Sequence, residues 1–312
     1  MKTTTDNRKM IVCYGEVLWD IFPTKTKPGG APMNVAYHLR KLGIDSQMIS
    51  RVGADEWGRK ITDLLDGWQI PAHYCAPDAL HETGLVHATA VTPTEMAYTI
   101  EYPAAWDFIE WNEEMAQKVA EADAFVYGSL VTRDETSRNT LLRLLEKAKY
   151  KVFDINLRPP FYEKEVLEQL IGKCNLLKMN ENEVALLGKW YLGEDGVEEA
   201  SVRYLQDKFN IDEVIVTKGE EGATYYTRGA SHSFQAYQVE VKDTVGSGDS
   251  FLAAFLSKKL NGASAVEAMQ YAIAVGAFVA SNEGACPVYS TQDLNRFIQK
   301  KQLEQNKEII SN

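Results

Sequence analysis

The stretch V-K-D-T-V-G-S-G-D-S-F-L-A-A-F-L, residues 241–256, places a short glycine loop directly before an apolar helix. Gly246 and Gly248 lack side chains, so successive backbone N–H groups around Ser247 can converge on one point at the helix start. Such a convergence binds anions. Asp249 follows at the mouth of this anion site, where a carboxylate can handle a proton or a metal. The stretch therefore predicts Asp249 as a catalytic base.

The same spacing also fits a simpler alternative, in which Ser247 or Asp249 caps a core helix and the glycines supply unusual backbone angles. A resemblance favours the functional alternative. The segment D-T-V-G-S-G-D, starting at Asp243, resembles the D-T-x-G-A-G-D signature of the ribokinase-like (PfkB) carbohydrate kinases and departs from it only at Ser247. It implies that Gly246, Ser247 and Gly248 stabilise a transferring phosphoryl group while Asp249 accepts a proton.

A second glycine segment, G-G-A-P-M-N, runs from Gly29 to Asn34 and opens a predicted helix over residues 35–42. One interpretation is a well-formed helix start, with proline in the first turn and glycine after the last. The other is that the glycines let a ligand touch the backbone while the Asn34 amide binds a polyol. The segment resembles the N-terminal signature of the same family, which favours the second. By that resemblance Asp20, Gly29, Gly30 and Asn34 bind the sugar.

Composition describes an ordinary globular chain of 312 residues, 45% hydrophobic and 25% charged, which can form one large domain or two modest ones. With 33 basic and 44 acidic residues, the formal charge of −11 argues against binding to nucleic acids or anionic membranes. The four cysteines form no C-x-x-C pair and are expected as buried, reduced thiols. Residues 1–10 are polar, and no run of about 18 apolar residues occurs. These features predict a soluble cytoplasmic protein.

Alternating strand and helix patterns predict an α/β fold with a mostly parallel sheet and right-handed crossovers. No G-x-G-x-x-G follows the first strand and no Walker pattern occurs, which argues against a dinucleotide-binding enzyme and a P-loop enzyme. The predicted strands span residues 10–14, 124–128, 151–155, 176–179 and 214–217, and the predicted helices span 55–68, 134–149, 163–172, 181–187, 198–209 and 264–280. Residues 299–312 are expected as a solvated, fraying end.

The period changes to strict alternation over residues 83–101, around a turn at residues 92–94, which predicts a hairpin outside the parallel sheet. The family resemblance implies a three-layer ribokinase-like fold in a single kinase domain, residues 1–312. It also implies a small β lid, built from about residues 16–30 and 83–103, that covers the sugar. This β lid is the surface through which a homodimer is expected.

Polar residues follow the predicted strands, at the sheet edge where ligands collect in such folds. Arg158 is predicted to contact phosphate or substrate, and an ion pair with Asp154 is the alternative. Asn180 and Glu183 match the family's N-x-x-E motif, in which the glutamate acts through Mg²⁺ and its water shell and the asparagine lies at the ATP site. The same four residues also fit a helix cap.

Thr217, Gly219 and Gly222 form a T-x-G-x-x-G pattern that resembles the family's nucleotide-phosphate loop, and a β-turn is the alternative. The apolar helix over residues 264–280 is expected to lie behind the adenine pocket. In many family members the loop equivalent to residues 281–290 helps to hold a monovalent cation with carbonyl groups near Asp243. The resemblance therefore implies ATP and Mg²⁺ as cofactors, and K⁺ as a further one.

The resemblance spans residues 11–289 and includes both long signatures. G-G-A-P-x-N-V-A together with G-E-V-L-W-D is similar to the fructokinase branch. Ala31 and Pro32 stand where a phosphosugar kinase would carry a cationic side chain, so a neutral hexose is expected. The sequence therefore predicts transfer of the ATP γ-phosphoryl to O6 of fructose. The alternatives are a kinase for 2-keto-3-deoxygluconate, ribose or a nucleoside, and a non-catalytic sugar sensor.

Overall fold

The computed structural model describes residues 8–92, 95–193 and 197–311. The polar residues 1–7 and the predicted turn at Pro93 and Thr94 lie outside these ranges. The strands, in chain order, are β1 (Met10–Tyr14), β2 (Leu18–Ile21), β3 (Thr26–Gly29), β4 (Asp45–Gly53), β5 (Cys75–Asp78), β6 (Gly84–Thr92), β7 (Glu95–Ile100), β8 (Ala124–Gly128), β9 (Lys151–Asp154), β10 (Leu176–Asn180), β11 (Glu213–Thr217), β12 (Ala223–Thr227) and β13 (Ser231–Phe234).

The larger sheet has the strand order β13-β12-β11-β10-β9-β8-β1-β4-β5 among the described residues. Every pairing from β11 to β5 is parallel, whereas β12 and β13 add an antiparallel edge. All five residues of β8 are buried, as expected for a strand covered on both faces. The predicted mostly parallel sheet is therefore confirmed.

Helices cover both faces of this sheet. They are α1 (Ala31–Lys41), α2 (Glu56–Gly67), α3 (Glu113–Glu121), α4 (Glu135–Leu145), α5 (Lys164–Ile171), α6 (Glu181–Leu192), α7 (Glu198–Phe209), α8 (Ser247–Leu260), α9 (Ala265–Ala280) and α10 (Thr291–Ser311). One apolar cluster packs α1, α2, α8 and α9 against the sheet, and a second packs α3 to α7 against the other face. The three-layer arrangement is confirmed. No helix of the described ranges is long and apolar enough to cross a membrane.

The smaller sheet has the order β3-β2-β6-β7 and lies apart from the larger one. Strand β2 pairs antiparallel with β3 and parallel with β6, and β6 and β7 form the predicted antiparallel hairpin. These four strands are the β lid of the sequence analysis.

Several elements were not predicted, namely β4, β5, α3, β12, β13 and α10. The chain end, expected as a solvated and fraying segment, instead continues α10 as far as Ser311. Its sequence consists largely of strong helix formers, and Glu304 pairs with Lys301 at 2.8 Å and with Lys300 at 3.8 Å.

Candidate active site

The glycine loop ends at the first turn of α8, and its conformation depends on Gly246. This residue precedes the helix with φ +77°, and a Cβ atom here would lie 2.5 Å from the Cα of Ala285. Helix α8 has no side-chain cap, and the Ser247 hydroxyl instead donates to the carbonyl of Gly276 at 3.2 Å. The capping alternative is therefore wrong for Ser247 and Asp249. The Ser247 N–H donates to the Thr244 carbonyl at 3.2 Å, and the other N–H groups of the first turn have no side-chain partner among the described residues and are suited to an anion.

Asp249 lies in this first turn and is held by a neighbouring amide. Asn34 Nδ2, on α1, donates to Asp249 Oδ2 at 2.8 Å, and the Cys286 thiol lies 3.4 Å from Asn34 Oδ1 as a weak donor. Burial, followed by the charge of Asp154, raises the pKa of Asp249 to about 6, although Asn34, Lys178 and Arg158 oppose the rise. A carboxylate with this pKa can accept a hydroxyl proton near neutral pH.

A buried ion pair lies beneath the glycine loop. Lys178 Nζ donates to both carboxylate oxygens of Asp154, at 2.8 and 3.0 Å, and both side chains are 7% exposed. Burial alone would lower the pKa of Lys178, but Asp154 outweighs it and the pKa is raised. A Cβ at Gly248 would lie 3.3 Å from Lys178 Nζ. Asp154 therefore pairs with Lys178 in place of Arg158, and the sequence analysis missed this lysine although it interrupts an apolar strand.

The positive charge of Arg158 acts on three acidic side chains of the site. Burial raises the pKa of Glu16 to about 7 and that of Asp20 to about 6, and the charge of Arg158 lowers the pKa of both acids and of Asp249. Arg158 is exposed, and its Nη1 donates to the Leu157 carbonyl at 3.0 Å. The sequence analysis missed Glu16, which is 3% exposed and whose Oε2 has no hydrogen-bond partner among the described residues. Its position directly after the first buried strand was the available signal.

The two glycines before α1 are required by close contacts with this acidic group. A Cβ at Gly29 would lie 2.5 Å from Asp20 Oδ2. Gly30 has φ +110°, and a Cβ there would lie 2.3 Å from the carbonyl oxygen of Glu16. The structure thus brings Asp20, Gly29, Gly30 and Asn34 to the same side of the site as Asp249, and their contact with sugar stays a prediction.

Asn180 and Glu183 form a capping box at the start of α6. Asn180 Oδ1 accepts from the N–H of Glu183 at 2.9 Å, and Glu183 Oε2 accepts from the N–H of Asn180 at 2.8 Å. Glu183 Oε1 accepts from the N–H of Leu157 at 2.8 Å. Burial and Asp154 raise the pKa of Glu183. The predicted helix cap is therefore observed. The role of these residues at ATP and Mg²⁺ stays a prediction.

The segment from Thr217 to Gly222 forms one tight turn after β11. Gly219 has φ +50° and Gly222 has φ +100°, and a Cβ at Gly222 would lie 1.9 Å from the carbonyl oxygen of Phe234. Thr217 Oγ1 donates to the Met179 carbonyl at 3.4 Å, at the end of the adjacent strand. The turn is therefore observed, and its contact with the nucleotide stays a prediction.

No group of three or more histidine, cysteine, aspartate or glutamate side chains in the described ranges is arranged to hold a metal ion. All four cysteines are free. Cys13, Cys75 and Cys174 are buried as expected, whereas Cys286 is partly exposed. Asp243, expected near a monovalent cation, forms an ion pair with Lys27 at 3.0 Å.

Comparison with known proteins supports the family resemblance found in the sequence. The model of the pfkB family carbohydrate kinases matches residues 6–292. A relative from Arabidopsis thaliana named "Probable fructokinase-6, chloroplastic" is 30% identical, over 93% of this chain and 82% of its own. A fructokinase from Solanum tuberosum is 28% identical, over 91% and 93%. A Vibrio cholerae fructokinase variant, solved with fructose, ADP and a potassium ion, is 23% identical with a TM-score of 0.80, over 93% and 98%. Xylella fastidiosa fructokinase with bound ATP is 20% identical with a TM-score of 0.85, over 95% and 99%.

The architecture is that of the ribokinase-like α/β proteins, with a large, mostly parallel sheet between helices and a smaller sheet beside it. The chain belongs to the pfkB family of carbohydrate kinases. It is therefore an ATP-dependent sugar kinase.

Proposed function

We propose that this sugar kinase is a fructokinase, which transfers the γ-phosphoryl group of ATP to O6 of fructose and releases ADP. The observation that carries the proposal is the Asp249 carboxylate, with a pKa of about 6, held by Asn34 at the start of α8. The choice of fructose rests on the fructokinases among its relatives and on the G-G-A-P segment that begins at Gly29.

Asp249 accepts the proton of the sugar hydroxyl as that oxygen attacks the γ-phosphorus and the bond from phosphorus to the ADP oxygen breaks. The N–H groups of Gly246, Ser247 and Gly248 stabilise the charge on the transferring group, which is the largest contribution that a preorganised site can make. Asn34 keeps the carboxylate in place.

The charges around the sugar site favour a neutral acceptor. Glu16, Asp20 and Asp249 are carboxyl groups, and Arg158 is the exposed cation that reduces the pKa of all three. A phosphosugar would add further negative charge to this group. Asp20, Gly29, Gly30 and Asn34 bind the hydroxyl groups of the hexose in this proposal. The β lid covers them and excludes water, which would otherwise accept the phosphoryl group.

Mg²⁺ is typically coordinated by substrate phosphates, waters and one or two carboxylates, and rarely by protein ligands alone. The residues of this site fit a Mg²⁺ ion that enters together with the nucleotide. When bound, Mg²⁺ neutralises phosphate charge. Glu183 would reach it through water, and Asn180, Thr217, Gly219 and Gly222 would face the nucleotide. A homodimer through the β lid is part of the proposal. The cytoplasmic location stays a prediction, since one relative is named as chloroplastic.

The test is ADP release from Mg-ATP with fructose, beside ribose, 2-keto-3-deoxygluconate, a nucleoside, fructose 6-phosphate and no sugar. We expect the highest kcat/KM with fructose, and fructose 6-phosphate as the product by nuclear magnetic resonance. A preference for another acceptor would leave the kinase machinery in place and contradict the choice of sugar. Absence of turnover with every acceptor would favour the sugar-sensing alternative.

A further inference from the structure

Lys27 is a lid residue that reaches the entrance of the glycine loop. It lies on β3, directly opposite Asp20 of β2. Its Nζ donates to Asp243 Oδ2 at 3.0 Å, and both side chains are 22% exposed. Asp243 begins the segment that leads into Gly246 and α8. A single ammonium group therefore connects the β lid to the loop that is proposed to bind the transferring phosphoryl group.

Both oxygens of the Asp243 carboxylate accept hydrogen bonds. Its Oδ1 accepts from the N–H of Val245 at 3.1 Å, and its Oδ2 accepts from the N–H of Gly284 at 3.0 Å as well as from Lys27. Burial would raise the pKa of Asp243, but these hydrogen bonds outweigh it and the pKa is lowered. The group is a carboxylate at neutral pH, and its charge is matched by Lys27.

Gly284 lies against the side chain of Lys27 and its ammonium group. It has φ +77°, and a Cβ there would lie 3.4 Å from Lys27 Nζ and 3.5 Å from Lys27 Cδ. The lysine stem thus lies across the loop at residues 281–290, whose Ala285 also packs against Gly246. Three chain segments meet at one positive charge: strand β3, the start of the glycine loop and this loop.

These contacts leave the Asp243 carboxylate unsuited to an added monovalent cation. Potassium binds through oxygen ligands that replace its hydration shell. The oxygen that faces the β lid is occupied by an ammonium group and an N–H group. A second positive charge beside Lys27 Nζ would be repelled by the ammonium group.

We propose that the Lys27 ammonium group takes the place of a monovalent cation beside the glycine loop and holds the β lid to it, so that turnover does not require potassium. The inference rests on the proposed kinase function, since it assigns Lys27 as a positioning residue for that reaction. It concerns the charge that Lys27 supplies at Asp243. Neighbouring Lys25, which is exposed, serves as the matched control.

The experiment compares the wild type, Lys27→Met and Lys25→Met in potassium chloride and in choline chloride of the same ionic strength. Methionine keeps most of the lysine stem and removes the charge. We expect wild-type and Lys25→Met turnover to differ by less than about 2-fold between the salts. We expect Lys27→Met to lose about 10-fold or more in choline and to recover in potassium. A wild-type enzyme that potassium activates 10-fold, or a folded Lys27→Met enzyme that potassium fails to restore, would overturn the proposal.

Thermal melting in the same salts is a readout that does not depend on turnover. We expect potassium to raise the melting temperature of Lys27→Met and to leave that of the wild type unchanged. If the wild type phosphorylates no sugar, the proposed function fails, and the melting comparison still decides whether Lys27 substitutes for the ion. Equal responses of both proteins to potassium would contradict the substitution.

Discussion

At the scale of single residues, Glu16 and Asp249 are two buried carboxyl groups that interact through their charges. The charge of Asp249 contributes to the raised pKa of Glu16, which is about 7. The pKa of Glu16 lies above that of Asp249, so Glu16 is largely protonated and neutral while Asp249 titrates. Over that range Asp249 is exposed to the positive charge of Arg158, which lowers the pKa of Asp249. That pKa, about 6, sets the pH above which Asp249 is a free base.

We therefore predict that kcat/KM rises with pH through about 6, as the Asp249 carboxyl loses its proton. Arg158→Gln removes a neighbouring positive charge, so the pKa of Asp249 rises and the acidic limb moves to higher pH. The measurement is the pH profile of kcat/KM for both proteins. Glu82→Gln, an exposed substitution, is the control that should leave the limb in place. A limb that does not move in Arg158→Gln would contradict the effect of Arg158 on Asp249.

Substitution of Glu183 can separate its role in the helix cap from its predicted role at Mg²⁺. Glutamine can replace glutamate in a capping box, so Glu183→Gln should melt within a few degrees of the wild type. If Glu183 also acts on Mg²⁺ through water, the variant should need a higher Mg²⁺ concentration for half-maximal rate. A titration of rate against Mg²⁺ measures this. An unchanged Mg²⁺ dependence would leave Glu183 with a capping role alone.

The residues that sequence could identify are those inside contiguous motifs, such as Asn34 and Asp249. Their direct contact could not be read from the sequence, because they lie on different helices. Glu16, Lys27 and Lys178 escaped notice for the same reason. Each is a single charged residue whose meaning comes from a partner far along the chain, such as Asp243 for Lys27 or Asp154 for Lys178.

At the scale of elements, α8 is flanked by two glycines that both have a positive φ but differ in their surroundings. Gly246 has φ +77° and Gly262 has φ +83°. A Cβ at Gly246 would strike Ala285, whereas a Cβ at Gly262 would meet nothing within 4 Å. The two alanine substitutions therefore differ only in the collision with the 281–290 loop.

We predict that Gly262→Ala lowers the free energy of unfolding by about 1–2 kcal/mol, the cost of a left-handed conformation. Gly246→Ala should lose about 1–3 kcal/mol more through overpacking, together with most of its activity, because the start of α8 must shift. Urea unfolding and turnover measure both effects. Equal losses in the two variants would show that the contact with Ala285 does not hold the glycine loop.

Helices with a clear apolar stripe or a cap were the elements that sequence predicted best. Residues 198–209 were placed correctly as α7, and the helix predicted over residues 264–280 is α9, which begins with a capping box at Ser264. Strand β4 was missed because it combines buried polar residues, such as Ser46 and Gln47, with apolar ones. Its burial arises from the helices on each side of the sheet, which no local pattern reports.

At the scale of the whole molecule, the four-stranded β lid presents an exposed aromatic side chain, Tyr98, on β7. We predict a homodimer through this sheet, with twice the chain mass of 35.0 kDa. Tyr98→Glu places a charge on the predicted interface and should yield monomers. Light scattering after gel filtration measures the mass. Val266→Glu, at an exposed position of α9 outside the β lid, is the control. A wild-type monomer would contradict the dimer.

The layer arrangement was predictable because alternating strands and helices permit few topologies. The antiparallel edge formed by β12 and β13 was not, because both strands are short and β13 is polar, with Ser231 and His232 exposed. Likewise, the sequence predicted a β lid but could not show that Lys27 would tie it to Asp243. Contacts between distant segments depend on packing of the entire chain.

The central claim is that Asp249 acts as the base of a sugar kinase, and the most direct measurement is the rate of ADP release by Asp249→Asn with Mg-ATP and fructose. Asparagine keeps the shape of the side chain but cannot take up the hydroxyl proton. We predict that kcat falls by about 100-fold or more, while the melting temperature and ATP affinity stay close to those of the wild type. Turnover at the wild-type rate would contradict the claim.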